Sequence, residues 1–245
     1  LGEGSFRECF RGTYVGGNRN QQEAACKRFK PQFRRVETEY FADDFRIADR
    51  VIEYAEEWNK FCPDRKEITV SRGTVHFMGD GNKYLVEPYI RDFMKFTSNS
   101  GWIADEHHNQ WIVKAMEAFS HYTYHRSGGM LLVCDMQGRY RKDKYGRGNK
   151  NKSRYELSDP AICSRKRSYG PTDLGEKGIE SFFCNHICNQ FCHQTGRWQM
   201  PRAPRNWFQT CSATSMFSSR MDAKLRLTSV TTFTLGFGNI MEEED

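Results

Sequence analysis

The order of residue patterns along this chain of 245 residues predicts an α+β protein in two lobes. A β-rich first half carrying one long helix is followed by a mixed second half. Residues 5–29 and 68–89 break into short strand-like runs separated by glycine turns, whereas the stretch from Thr38 to Phe61 has no Gly or Pro and keeps helical spacing. Composition agrees: 38% hydrophobic, 28% charged and 14% aromatic residues exclude a collagen, a coiled coil and a disordered chain. The longest apolar runs, Met130–Cys134 and Trp111–Val113, are far short of the ~20 residues a membrane helix needs. No basic-then-apolar leader opens the chain, so a soluble protein without a membrane segment is expected, placed in the cytoplasm. The start on Leu1-Gly2-Glu3-Gly4, without Met, reads as a domain cut from a larger multidomain polypeptide.

Taken in order, Phe6 to Tyr14 reads as a strand, Gly16-Gly17-Asn18 as a turn and Ala24–Phe29 as a second strand. Phe41, Phe45, Ala48, Val51, Ile52, Ala55 and Trp58 fall on one face of the long helix. Short strands follow at Ile68–Ser71, Val75–Met78 and Tyr84–Tyr89, with Gly79-Asp80-Gly81-Asn82 as a hairpin turn. A second helix is expected over His108–Tyr124, a buried strand over Met130–Met136 and a third helix over Gly178–Thr195. Residues 197–245, with Pro201, Pro204 and a Ser/Thr-rich stretch, stay unassigned. A cleft near residues 87–101 is the expected ligand site.

The formal charge of +6 is local: the eight Lys or Arg between Arg139 and Glu156, against Asp143 and Glu156, account for the same excess. With almost no aliphatic residue, that segment reads as a solvated, flexible loop. Nine cysteines, an odd number, in a chain whose Cys134 looks buried favour a reducing compartment over disulfides.

Four constellations could carry chemistry. Gly2-Glu3-Gly4-Ser5-Phe6-Arg7, followed by Lys27 on the next strand, could cradle phosphates, although a plain hairpin explains the glycines equally well. Asp135 ends an apolar strand and Gln137 lies two residues on, on the same side of an extended chain; Asp159, before Pro160, adds a second carboxylate. Such hard oxygens suit magnesium and proton transfer. On a helix, Cys188 and Cys192 stand one turn apart and His186 lies nearby, three ligands of a tetrahedral zinc site. His121, His125, His193 and Cys184 are the candidates for the fourth. Finally, Gly170, Asp173, Gly175 and Gly178 form a loop leading into the third helix that could hold an anion or a peptide.

Together these pieces resemble the atypical alpha-kinase family. The resemblance runs from Gly2 to about Thr195 and rests on Ala118-Phe-Ser-His-Tyr-Thr-Tyr124, Asp135-Met-Gln-Gly138, Asp159-Pro160, the 170–178 loop and the His186–Cys192 cluster. Within the family, Phe6-Arg-Glu-Cys-Phe-Arg11 and Ser98-Asn-Ser-Gly101 look most similar to the elongation-factor-2 kinase type. The resemblance implies a two-lobed protein-kinase-like fold in a single catalytic domain over 1–245. Its N-lobe would span 1–90, its C-lobe 91–196, and 197–245 would be a C-terminal segment of open structure.

It further implies that Lys27 holds the ATP phosphates with Gly2, Gly4 and Arg7 beside them, and that Glu87 in the hinge meets the adenine. Asp135 becomes the catalytic aspartate, Gln137 and Asp159 the Mg²⁺ ligands, and His121 the fourth Zn²⁺ ligand with His186, Cys188 and Cys192. The 170–178 loop places the protein substrate. Three departures stand out. The basic stretch after Gly138 looks like an insertion, Arg50 stands where an acidic partner of Lys27 is expected (Asp49 and Glu53 being the candidates), and Asp92 follows the hinge.

The expected activity is a serine/threonine protein kinase that transfers the ATP γ-phosphate to a protein hydroxyl. The alternatives are a catalytically weak pseudokinase acting as a phosphopeptide-binding or scaffolding module and a zinc-dependent nucleic-acid binder. One charged loop without interleaved aromatics argues against the last.

Overall fold

The computed structural model describes residues 1–61, 67–105, 110–142, 153–192, 198–209, 216 and 240–241. Its first sheet runs in the order β1-β2-β3-β6-β5 through β1 (Gly2–Glu3), β2 (Arg7–Tyr14), β3 (Glu23–Phe29), β6 (Lys83–Pro88) and β5 (Thr74–Phe77), all pairs antiparallel. A second sheet runs β4-β10-β9-β7 through β4 (Glu67–Val70), β10 (Arg154–Leu157), β9 (Gln137–Arg141) and β7 (Met94–Lys95). Strands β8 (Leu131–Cys134) and β11 (Ala161–Ser164) form a separate antiparallel pair. Strand β12 (Ile240–Met241) adds to the edge of β2.

Helix α1 (Glu37–Phe61) follows a short 3₁₀ segment, Pro31–Val36, and ties the two halves together. Its first turns bury Tyr40 and Phe41 against Phe29, Val75 and Leu85 of the first sheet. Its later turns bury Val51, Ala55 and Trp58 in a larger core shared with α2 (Gln110–Arg126). Trp58 meets Phe119 edge-on at 5.6 Å between centroids. Burying a side chain of this size contributes about 2–3 kcal/mol, so this contact fixes how α1 sits on α2.

The expected strands, the long helix and the second helix are present, with ends moved by a few residues. Two readings need correction. The third helix, α3 (Glu176–Asn185), stops well short of Thr195. Its C-cap, His186, turns extended, residues 186–189 have no regular structure and 190–192 form a turn. A helix would set His186 and Cys188 some 200° apart around its axis; leaving the helix lets both face one point.

The basic segment 139–156 is likewise no loop at its ends. Arg139–Arg141 closes β9 and Arg154–Glu156 lies in β10, paired in register so that Tyr140 faces Tyr155. Those rings meet at a tilt on the core side, 5.0 Å between centroids, while Arg139 and Arg154 share Glu156 on the other face. Alternation of aromatic and charged residues, hidden among so many cations, is the strand signal that was passed over. Residues 143–152, within the apparent insertion, lie outside the described residues, as do His193 and most of 197–245.

Candidate active site

The functional side chains converge on a cavity of about 200 Å³ between the first sheet, the middle of α1 and the β8–β9 turn, with Arg7, Asp44, Lys95, Asp135, Gln137 and Asp159 among its walls. Gly4 closes the β1–β2 hairpin through its N–H to the Arg7 carbonyl, 2.8 Å, and this brings Arg7 to the cavity mouth. Register pairing of Cys9 with Lys27 and of Lys27 with Leu85 puts the lysine in the centre of the sheet.

Lys27 Nζ donates to Glu87 Oε2 at 2.5 Å and lies 3.5 Å from Asp159 Oδ2. Ser158 Oγ also donates to Glu87, at 2.9 Å. Burial opposes the charge on Lys27, yet Asp159 and Glu87 outweigh it and hold the ammonium above the ordinary lysine range. Burial also works against Asp159, but Lys27 and Arg7 keep its carboxyl below the usual range. Glu87, only 3% exposed, therefore turns its carboxylate onto the lysine.

The acidic partner expected on α1 is elsewhere. Asp49 binds Arg72 at 2.5 Å and Glu53 binds Arg50 at 2.8 Å, so neither serves Lys27. What α1 brings to the site is Asp44, whose carboxylate accepts from the Arg7 guanidinium. Arg7 in turn lies 3.8 Å from Asp159 and stacks over the Phe29 ring at 4.2 Å. Burial pushes Asp44 up to about 7, against the pull of Arg7.

Asp135 and Gln137 both reach the cavity, though not along an extended strand. Asp135 has φ of +56°, which breaks the run between β8 and β9 and turns its carboxylate inward. Asp159 sits in the same left-handed region, also at +56°. Such a conformation costs about 1 kcal/mol or more for a non-glycine residue and persists where the surroundings enforce it. Lys95 Nζ meets Asp135 Oδ1 at 2.6 Å, and Gln137 Nε2 donates to the Asp159 carbonyl at 2.9 Å. Gly138, at φ +145° and hard against the Glu156 backbone, leaves no room for a Cβ.

In the 170–178 loop, Asp173 is the organiser and is fully buried. It accepts from the N–H of Ser164 at 2.7 Å, of Gly175 at 2.9 Å and of Tyr169 at 3.1 Å. Burial raises its pKa, and these N–H groups and the Ser164 hydroxyl pull the other way. Gly170 packs on Asp43 and Gly175 on Arg167, and Gly178, which lies in the first turn of α3 and not in the loop, packs on Cys163, so all three glycines serve close approach.

On the far side of α2, His121, His186, Cys188 and Cys192 bring one ligand atom each within 4.8 Å of one another. His186 Nε2 is 3.2 Å from His121 Nδ1, and each thiol lies 3.6 Å from a histidine nitrogen. Donors bound at 2.0–2.3 Å to one tetrahedral ion sit about 3.3–3.8 Å apart, so this set has the spacing of a zinc site. The outward ring nitrogens face acceptors: His121 Nε2 contacts the Gln199 carbonyl at 3.0 Å and His186 Nδ1 faces Glu117 at 3.8 Å. Cys184 is exposed, and His125 Nδ1 accepts from the Gln199 N–H; neither joins the group.

Sequence reasoning missed Asp44 and Lys95. Both left a trace: Asp44 falls three and four residues from Phe41, Tyr40 and Ala48, inside the apolar stripe of α1, and Lys95 interrupts Met94-Lys-Phe96. A charge on a buried stripe needs a partner.

Comparison with known proteins places this geometry. The alpha-kinase family model matches residues 2–192. Human eukaryotic elongation factor 2 kinase is 28% identical over 212 residues, which are 84% of this chain and 27% of that protein. Alpha-protein kinase vwkA of Dictyostelium discoideum is 30% identical over 191 residues, 75% of this chain and 26% of its own. The chain thus spans about a quarter of the length of these relatives. Among solved structures, an alpha kinase from Entamoeba histolytica aligns over 89% of this chain and 82% of its own, with TM-score 0.57 and 22% identity. The alpha-kinase domain of myosin heavy chain kinase A, in complex with AMPPCP, aligns over 78% and 82%, with TM-score 0.58 and 21% identity. The fold is accordingly the two-lobed kinase-like one, and the chain belongs to the alpha-kinase family.

Proposed function

We propose that this chain is the catalytic domain of a serine/threonine protein kinase, moving the γ-phosphate of ATP to a protein hydroxyl. The observation that carries the reading is the Lys27–Glu87–Asp159 cluster, which meets, through Asp159, the cavity that Arg7, Lys95 and Asp135 line. Phosphoryl transfer needs positioning and charge neutralisation more than covalent chemistry. Three cations around one cavity supply that neutralisation. Asp135 orients the substrate hydroxyl and accepts its proton as oxygen attacks the γ-phosphorus and the bond to the β-phosphate oxygen breaks.

Glu87 and Asp159 hold the Lys27 ammonium where the phosphates bind, and the hairpin of Gly2 and Gly4 brings Arg7 over them. Adenine then lies along the hinge backbone next to Glu87. Gln137 and Asp159 fit magnesium: both offer oxygen to the cavity, and Asp159 stays 43% exposed with a lowered pKa. Bound there, the cation would neutralise phosphate charge. The 170–178 loop, with Gly170, Asp173, Gly175 and Gly178, would place the peptide.

Of the two features that favour a pseudokinase, the unplaced partner of Lys27 and the insertion after Gly138, the first is answered by Glu87. His121, His186, Cys188 and Cys192 would hold a structural zinc that pins the end of α3 to α2 beneath the cleft. We keep the division into an N-lobe over 1–90, a C-lobe over 91–196 and a C-terminal segment over 197–245. We also keep the view of a domain within a larger chain, in the reducing cytoplasm. Among the described residues no helix is long and apolar enough to cross a membrane.

The test is nucleotide binding followed by phosphoamino-acid analysis. Mg-ATP should raise the melting temperature of the wild type and not that of Lys27→Met, and transferred phosphate should sit on serine or threonine. Equal stabilisation of both proteins, or phosphate on tyrosine alone, would refute the assignment.

A further inference from the structure

Beyond α3 the described chain runs along the C-terminal half of the molecule. Trp198 packs against Trp58 and Tyr122, at 6.3 and 5.8 Å between centroids. Trp207 donates its backbone N–H to Ser181 Oγ at 3.0 Å and its indole N–H to Glu180, while Lys177 lies 4.7 Å over its ring. Phe208 and Met216 pack on the buried cluster of Leu132, Leu174 and Phe182.

The contact at residue 216 has a distinct form. Asn99 is 1% exposed. Its Nδ2 donates to the Thr172 carbonyl at 2.9 Å and to the Met216 carbonyl at 2.7 Å. Its Oδ1 accepts the Met216 N–H at 3.0 Å. Both amide protons and the oxygen are thereby used, two of the three bonds on the backbone of a single residue. In an extended strand the N–H and C=O of one residue point the same way, so a carboxamide reads such a backbone whatever its side chain. The apolar edge beside it adds a preference for a residue such as methionine. Thr172 belongs to the 170–178 loop and lines the catalytic cavity with Pro171.

We propose that Asn99, held by the Thr172 carbonyl, forms a binding site for an extended peptide, filled in this chain by residue 216, so that a peptide entering beside the 170–178 loop takes the place of residue 216. Only the description of that entering peptide as a kinase substrate rests on the proposed function.

The test uses the whole chain without nucleotide and a fluorescent peptide of residues 210–222. Met216→Pro removes the N–H that Asn99 accepts and vacates the clamp. The peptide should bind this variant about tenfold more tightly than the unaltered chain, and N-methylation of the peptide at Met216 should cost about tenfold, as expected for an unsatisfied buried acceptor. Equal affinity for both chains, no effect of methylation, or no binding to either would overturn the proposal.

A second measurement needs no variant. Hydrogen exchange at the Met216 amide of the unaltered chain should be slowed at least about a hundredfold and should speed up when excess peptide is added. Exchange at the intrinsic rate would overturn the clamp even where Met216→Pro fails to fold. None of these readings uses ATP, so a failed phosphate-transfer assay refutes the kinase assignment and leaves the clamp standing.

Discussion

The charged cavity and the His/Cys cluster solve opposite problems. At the cavity, Arg7 and Lys95 pair with Asp44, Asp135 and Asp159, and Asp159 connects them to the Lys27–Glu87 pair, so the charges satisfy one another. The cluster of His121, His186, Cys188 and Cys192 is mostly buried and offers soft donors that a single cation would satisfy. On the proposed function, charge in the cavity would be rearranged when substrate arrives. The cluster is there to hold still. Removing one member of a buried charge network strands its partner at a cost of about 3–5 kcal/mol, whereas removing one zinc ligand unpins a whole segment.

The largest expected effect breaks the chemistry alone. Asp135→Ala should lower phosphate transfer about 10³-fold in a protein that still folds, because the change removes the proposed base and leaves both sheets intact, although stranding Lys95 takes several degrees off the melting temperature. A variant that does not fold would make Asp135 structural. The mirror experiment is Cys192→Ser. Zinc content should fall from about one ion per chain to none, and the melting temperature should drop by about 10 °C or more, read by calorimetry. A soluble variant melting like the wild type would remove zinc from the account.

A smaller change sharpens the electrostatic half of the contrast. Glu87→Gln leaves Lys27 with Asp159 alone and should reduce kcat/KM for ATP by about tenfold to a hundredfold, mainly through KM, in steady-state assays. The smallest effect is a pH slope. Asp44 is raised to about 7 in the folded protein by burial, above its unfolded value near 4. The folded state therefore holds the extra proton; the stability this gives is complete below about pH 4 and lost as pH rises through about 7. Asp44→Asn should flatten that decline, so that the variant gains about 3 °C on the wild type between pH 5 and 8 in melting experiments. Parallel melting profiles would show that Asp44 does not titrate there.

The two regions also differ in how much of them could be read from the chain. Three of the four ligands in the cluster lie within seven residues, and their softness and spacing were enough to suggest zinc. The helix drawn through them was wrong, because the spacing was read as periodicity when it records convergence. The cavity was legible in its residue types, through Lys27, Asp135, Gln137 and Asp159, but not in its pairings. Lys27 meets Glu87 across sixty residues of sequence because β3 pairs with β6. Register of that kind follows from which faces are buried, and local pattern alone does not fix it. Asp44 and Lys95 escaped notice for a related reason: each is a charged residue in a buried row, which looks like an imperfect helix or strand until its partner from another element is in place. The strands of the basic stretch escaped because cations outnumber Tyr140 and Tyr155, whose pairing defines the inner face.

The most direct test of the central claim is transfer of radiolabelled γ-phosphate from Mg-ATP to a basic protein acceptor, measured side by side for the wild type and Asp135→Ala at matched folding. The account predicts label on serine or threonine of the acceptor with the wild type, and about 10³-fold less with the variant. Equal label with both proteins would contradict the role of Asp135, and no label with either, with Mg-ATP bound, would contradict the assignment as a kinase.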